Sequence, residues 1–308
     1  MADPMIPRER SDYSAIVDRP PLKLPGKARI VFWTIVNYEV WDIGKPMARQ
    51  LLPAPTGVPL MPDVVHWAFH EYGMRVGCWR FHELFKRLGI KPTLAANARI
   101  CEDYPRVADE AKREGWEFMG HAYEQGPIHK EPDQAAMIKR TMDVLTKFTG
   151  KKPVGWLGPG LTQTLETPDL LAAAGVEYIG DWVYDDEPTV IRTTSGPLVT
   201  LPYTIECNDI PMMLVQHHES DYLLKRTIDQ FDRLYAESEK RAKICALAIH
   251  PYISGQPHRI KYLEQIYDYV NEHDDVLHWN GAQILDWYRT IAGDKLAGRS
   301  DARIKATA

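Results

Sequence analysis

The stretch ARIVFWTIVNYE, residues 28–39, is a nearly continuous apolar run that turns polar at Asn37. Its β-branched and aromatic content reads as a strand buried on both faces, the type found in parallel sheets. The chain beyond it alternates between short apolar runs and amphipathic helices. Helix 76–89 is closed by Gly89, with Lys86 and Arg87 in its last turn. Strand PTLAANA (92–98), helix 104–115 with Gly115 as its stop, and strand WEFMG (116–120) follow. Helix 132–150, strand KPVGWLG (152–158) and helix 167–175 continue the pattern. VEYIG (176–180), LVTLPY (198–203) and MMLVQ (212–216) are further strand candidates. The long helix 220–241, strand KICALAIHP (243–251), helix 257–273, strand VLHW (276–279) and helix 282–291 complete the series. Such alternation predicts an α/β fold with a parallel sheet and one barrel-like (β/α) domain over residues 28–291. Residues 1–27 read as an extended arm and 292–308 as a tail.

The 308 residues suffice for one large domain, and the formal net charge of −5 argues against a nucleic-acid or anionic-membrane surface. No segment reaches the ~20 apolar residues of a membrane-spanning helix. The N-terminus lacks the basic-then-apolar pattern of a signal peptide. Cys78, Cys101, Cys207 and Cys245 are widely spaced without a CxxC pair. They are expected to be reduced thiols in a cytoplasmic protein. The fingerprints GxGxxG and GxxxxGK[ST] are both missing, so dinucleotide and P-loop readings lose their support. The proline-rich loop LLPAPTGVPLMP (51–62), the arm and the abundant aromatics point to a homo-oligomer that buries them.

In a barrel of this type the chemistry sits at the C-terminal ends of the strands. Those ends carry Asn37, Tyr38 and Glu39, then Asn97, His121, Gly158 and Pro159, Asp181 and Trp182, Asn208 and Asp209, and His250. Glu39 alone reads as a solvated loop carboxylate, and His121 alone as a histidine bonded to backbone. His250 follows the apolar run ICALAI, where a polar group faces either the rim or a costly burial. A carboxylate and two imidazoles on one rim are the parts needed to activate water and protonate a leaving group. His217 and His218 read as structural or surface residues. His66, His70 and His129 fall in expected loops as lid or pocket residues.

In order, FWTIVNYE, GWEFMGHAYEQ, KPVGWLGPG, LVTLPYTIECNDIP and ALAIHP resemble the polysaccharide deacetylase (NodB-homology) superfamily, over residues 28–290. The resemblance implies a distorted (β/α) barrel that hydrolyses C–N amide bonds. Its deacetylases use an Asp-His-His metal triad with a further Asp as base. On this chain Glu39 falls at the metal-binding Asp, Asn37 at the catalytic Asp, His121 at the first metal histidine and His250 at the leaving-group histidine. Three departures stand out: Asn37 replaces the base, Gln125 stands where the second histidine belongs, and GWLGPGLT lacks the usual arginine. NYE, the lone histidine of GHAY, LPYT and AIHP resemble more closely the branch of cofactor-independent allantoinases and cyclic imide hydrolases.

A catalytic zinc wants about three protein ligands. Glu39 and His121 supply two, leaving Glu124, His129 or His250 for the third. The expectation is therefore a metal-free enzyme acting on a small cyclic amide, imide or ureide, with zinc at Glu39 and His121 as the lesser alternative. Glu39 is expected to activate water, His121 and His250 to stabilise the oxyanion and protonate nitrogen, with Asn37 and Asp209 orienting them. Gln125, Trp156, Trp182, Asn208 and Arg259 are expected to contact substrate, and Trp41 to form a wall. A metal-dependent deacetylase and a non-catalytic binding protein on the same scaffold are the competing readings.

Overall fold

In the computed structural model, residues 3–296 except 49 and 55 are described. The expected tail beyond 296 lies outside the described residues. Among the described residues, nine strands form one sheet: β1 (Ile30–Tyr38), β2 (Thr93–Ala96), β3 (Glu117–Gly120), β4 (Gly155–Trp156), β5 (Tyr178–Ile179), β6 (Thr189–Ile191), β7 (Leu198–Thr200), β8 (Lys243–Ile249) and β9 (Val276–His278). Their order is β6-β7-β5-β4-β3-β2-β1-β8, with β9 beside the start of β1. All pairings are parallel except β6 with β7. The sheet curls into a distorted half-barrel, and Asn208 bridges to Ala248 beside β8. The expected (β/α) architecture is the one observed.

The helices are α1 (Pro7–Arg10), α2 (Val64–Tyr72), α3 (Cys78–Leu88), α4 (Ile100–Asp103), α5 (Pro105–Arg113), α6 (Gln134–Thr149), α7 (Thr167–Ala173), α8 (Tyr222–Glu237), α9 (Ile260–Asn271) and α10 (Gly281–Ala292). Gly89 and Gly150 end α3 and α6 in the left-handed conformation that a side chain disfavours. No helix among the described residues is long and apolar enough to cross a membrane.

Strand parity divides the core. Val31, Trp33 and Ile35 of β1 join Ala95, Met119, Leu157, Ala246 and Ala248 inside the barrel. Ile30, Phe32, Val36 and Tyr38 face the helices with Phe81, Phe85, Phe231 and Tyr267. Successive side chains in a strand point to opposite faces. Asn37 and Glu39 therefore continue the inner row of β1, as His121 continues that of Met119 and His250 that of Ala246 and Ala248.

Three expectations fail locally. MMLVQ is not a strand, because Ile210–Val215 winds as a wide helical turn opened by Pro211; a short apolar run has no period to separate the two states. His66 and His70 sit on α2, whose start is capped by Asp63 accepting from His66 N–H at 3.2 Å. The antiparallel β6 was not expected; its three residues are too few to show a period.

The arm is pinned to the barrel. Arg10 is 1% exposed, pairs with Asp169 at 2.5 Å and donates to the carbonyls of Leu165 and Arg192. Arg19 pairs with Asp185 at 2.7 Å, and Trp287 donates its indole N–H to the Lys23 carbonyl.

The end of the barrel away from the site is plugged by a polar knot. Trp33 Nε1 donates to Thr93 Oγ1 at 2.8 Å, and Thr93 donates to Glu117 Oε2 at 2.7 Å. Tyr178 donates to Glu117 Oε1 at 2.8 Å. Glu117→Ala strands both hydroxyl donors and is expected to cost about 2–4 kcal/mol. Urea unfolding of the variant should show a midpoint lowered accordingly at unchanged slope; an unchanged midpoint would remove the knot from the stability of the barrel.

Candidate active site

Glu39 lies one residue beyond β1. The strand's exit is held by the Val40 N–H donating to Asn97 Oδ1 at 2.8 Å. That bond commits the Asn97 amide group to donating, and it does so to the His121 carbonyl and to Gln125 Oε1, the latter at 3.2 Å. Gln125 is thereby oriented too, and its Nε2 donates to Glu39 Oε1 at 3.0 Å. Trp41 donates its indole N–H to Glu39 Oε2 at 3.1 Å. His250 Nε2 lies 3.5 Å and His121 Nε2 3.9 Å from Glu39 Oε1. Two strand ends and two loop residues thus converge on one carboxylate that is only 7% exposed.

The two imidazoles are set differently. His250 Nδ1 meets Asp209 Oδ1 at 2.6 Å, while Asp209 Oδ2 accepts from the His250 backbone N–H at 2.8 Å and from Ser254 Oγ at 2.7 Å. His121 Nδ1 faces the Leu157 carbonyl at 2.6 Å. A carbonyl only accepts, so Nδ1 carries a proton, and in the neutral ring Nε2 keeps its lone pair. That Nε2 is buried without a hydrogen-bond partner.

Burial alone would lower the pKa of His250, but Asp209 and then Glu39 outweigh it and raise it to about 9. Burial alone would raise the pKa of Glu39; the imidazoles of His121 and His250 beside it overcome this and hold the carboxyl below its usual range. Near neutral pH the site therefore holds a Glu39 carboxylate beside a His250 imidazolium.

The expected residues divide accordingly. Glu39, His121, His250 and Asp209 come together as read. Asn37 points inward but donates to the Ile249 carbonyl at 3.3 Å. Gln125 is at the site, yet its donor goes to Glu39. Trp156 is wholly buried on the opposite face, in the cluster with Ile138, Met142 and Leu171, because parity turns it outward; it is not a substrate wall. Trp182 donates to Gln163 Oε1 at 3.3 Å and lines a separate large cavity of about 2060 Å³ between the arm and the barrel. Asn208 caps the following turn through the Ile210 N–H and donates to Tyr203 at 3.2 Å. Arg259 donates to Ser220 and lies in the field of Asp209, with burial lowering its pKa. Sequence reasoning missed Ser254 and the role of His70. The His70 ring lies 4.4 Å from both Trp41 and Tyr252, and burial lowers its pKa to about 4. The helical spacing of Asp63, His66 and His70 was the available signal.

The donor set does not fit a three-ligand metal. Gln125 presents an N–H where a second imidazole would offer a lone pair. Glu124 is engaged by Arg99 and Lys45. His129 is exposed on a separate turn. His250 has its Nδ1 engaged by Asp209. Among the described residues no group of three His, Cys, Asp or Glu could hold a metal ion.

A half-barrel with a buried carboxylate and two imidazoles on its C-terminal rim defines a hydrolase site, and the relatives agree. The polysaccharide deacetylase family profile matches residues 62–179. The peptidoglycan deacetylase of Helicobacter pylori is 24% identical over 235 residues, covering 65% of this chain and 80% of that protein. The probable polysaccharide deacetylase of Pseudomonas aeruginosa superposes with a TM-score of 0.78 at 26% identity, over 89% of this chain and 95% of that one. Puue allantoinase superposes equally well, with a TM-score of 0.78 at 25% identity over 92% and 96% of the two chains. The family match spans residues 62–179, and over most of its length the chain is similar to deacetylases and to an allantoinase, which points to a C–N hydrolase.

His250 carries a pH signature. Its folded-state pKa of about 9 lies above the ~6.5 of an unfolded imidazole. Its charge stabilises the fold fully below that lower value, and the contribution is lost as pH rises through the folded value. Asp209→Asn removes the main cause. The fall in urea midpoint between pH 7 and 9.5 should be smaller in this variant than in the unmodified protein; equal slopes would refute the Asp209–His250 charge pair.

Proposed function

We propose that the chain opens a small cyclic amide, imide or ureide by hydrolysis without a metal. The observation that carries this is the amide relay from Asn97 through Gln125 to Glu39, which fills a ligand position with a donor. His121 Nε2, the one lone pair aimed at this carboxylate, is the group that takes a proton from water. Glu39 is the weaker base of the two, because Gln125 and Trp41 already donate to it and its proton affinity is lowered. Its charge instead steadies the imidazolium forming on His121. The water oxygen bonds to the carbonyl carbon, the ring C–N bond breaks, and His250 delivers its Nε2 proton to the departing nitrogen. Return of the His121 proton to His250 restores the starting state. An imide or ureide suits this scheme because its nitrogen is conjugated to a second carbonyl and leaves more readily than that of an acetamide. The likeness to Puue allantoinase supports the same substrate class.

The test is a hydrolysis panel of allantoin, succinimide, hydantoin, dihydrouracil and an N-acetylglucosamine oligomer, each with and without chelator. Turnover of a ring amide that survives chelation, with His121→Gln and His250→Gln each slower by at least ~10²-fold, is the expected result. Turnover of the oligomer alone, abolished by chelation, would establish the metal-dependent deacetylase instead. No turnover of any compound would favour a binding protein on this scaffold.

A further inference from the structure

His121 does not stand alone on its far side. Its Nδ1–H donates to the carbonyl of Leu157 at 2.6 Å, and the N–H of the same peptide unit, at Gly158, donates to Asp181 Oδ1 at 2.6 Å. One peptide group therefore has an imidazole at its oxygen end and a carboxyl at its nitrogen end. Asp181 is 9% exposed and makes no salt bridge among the described residues; Gly158 N–H is the one group that offsets its burial, which raises its pKa to about 7. The close approach needs glycine. A Cβ at Gly158 would lie 2.6 Å from the Thr162 carbonyl oxygen and 3.0 Å from Asp181 Oδ1. A buried carboxyl without a cation is costly, and stability alone does not call for one here.

We propose that Asp181 is a positioning residue for His121, acting through the Leu157–Gly158 peptide. This rests on the reading of His121 as the proton acceptor. In its ionised form Asp181 pulls on the Gly158 N–H and polarises the peptide, so the Leu157 oxygen holds the His121 Nδ1–H more strongly. Chains of hydrogen bonds reinforce one another in this way, by roughly 10–30% per bond. The consequence is a fixed tautomer with Nε2 free and a more basic imidazole. The titratable group facing Asp181 from the segment after β7 is the Tyr203 phenol, which burial keeps protonated. On the site side of His121 stand Glu39 and, across it, His250 backed by Asp209. The chain therefore places a carboxylate at each end of the His121 imidazole: Glu39 near Nε2, and Asp181 behind Nδ1 by way of a peptide.

The test is histidine NMR titration of the full chain, with His121→Gln assigning the resonance, in the unmodified protein and in Asp181→Asn. Asparagine still accepts from the Gly158 N–H but carries no charge. The His121 midpoint should fall by about half a unit or more, and its Nδ1 proton resonance should move upfield. On the ring amide turned over fastest in the panel, kcat should fall by about tenfold with KM within twofold. Asp181→Ser, measured in parallel, serves if the asparagine variant does not fold. An unchanged His121 midpoint and Nδ1 resonance in a folded variant overturns the relay. If His121→Gln keeps full turnover while the Asp181 variants still shift the His121 titration, the relay stands and the proton-acceptor role falls.

Discussion

β1 pairs with three strands: β8 along its length, β2 at its C-terminal half and β9 at its start. Because side chains alternate strictly, its register decides at once which residues fill the barrel and which meet the helices. A slip by one residue would bring Tyr38 to the site and send Asn37 and Glu39 toward Phe81 and Tyr267. The packing guards against this. Tyr38 is wholly buried and bonded to His82 at 3.1 Å, and Trp33 is tied to Thr93 on the inner side. The catalytic geometry is thus a by-product of how the aromatic residues of one strand are sorted.

The charges at the rim form a chain, each compensated by the next. Asp209 holds His250, His250 faces Glu39, and Gln125 and Trp41 donate to Glu39's two oxygens. Buried charges survive only when paired and hydrogen-bonded. The alternation of sign here leaves no charge uncompensated, while His121 Nε2 stands beside the chain without a hydrogen-bond partner. The same arrangement places the Gln125 amide as a donor to the buried Glu39 carboxylate.

Much of this was legible in the linear order. The parallel alternation, the helix stops at Gly89 and Gly150, and the convergence of Glu39, His121, Asp209 and His250 follow from periodicity and from the rule that barrel sites gather at strand ends. Parity could also have excluded Trp156, since the next residue, Leu157 just beyond the same short strand, faces the barrel interior. MMLVQ was out of reach, because so short a run carries no period and the helical turn was opened by Pro211.

The sequence by itself determined which chemical groups were present and on which face of each strand they lay, because that information is local and periodic. It also put Asn37 and Gln125 where the family resemblance implies a base and a metal ligand. Only the tertiary structure decided their protonation and partners. Whether Glu39 acts as base or as counter-charge depends on donors 86 residues away at Gln125 and two away at Trp41. Whether His121 keeps a free lone pair depends on a carbonyl 36 residues away. Proton affinity is set by distances of a few ångströms, and such distances exist only once the chain has folded.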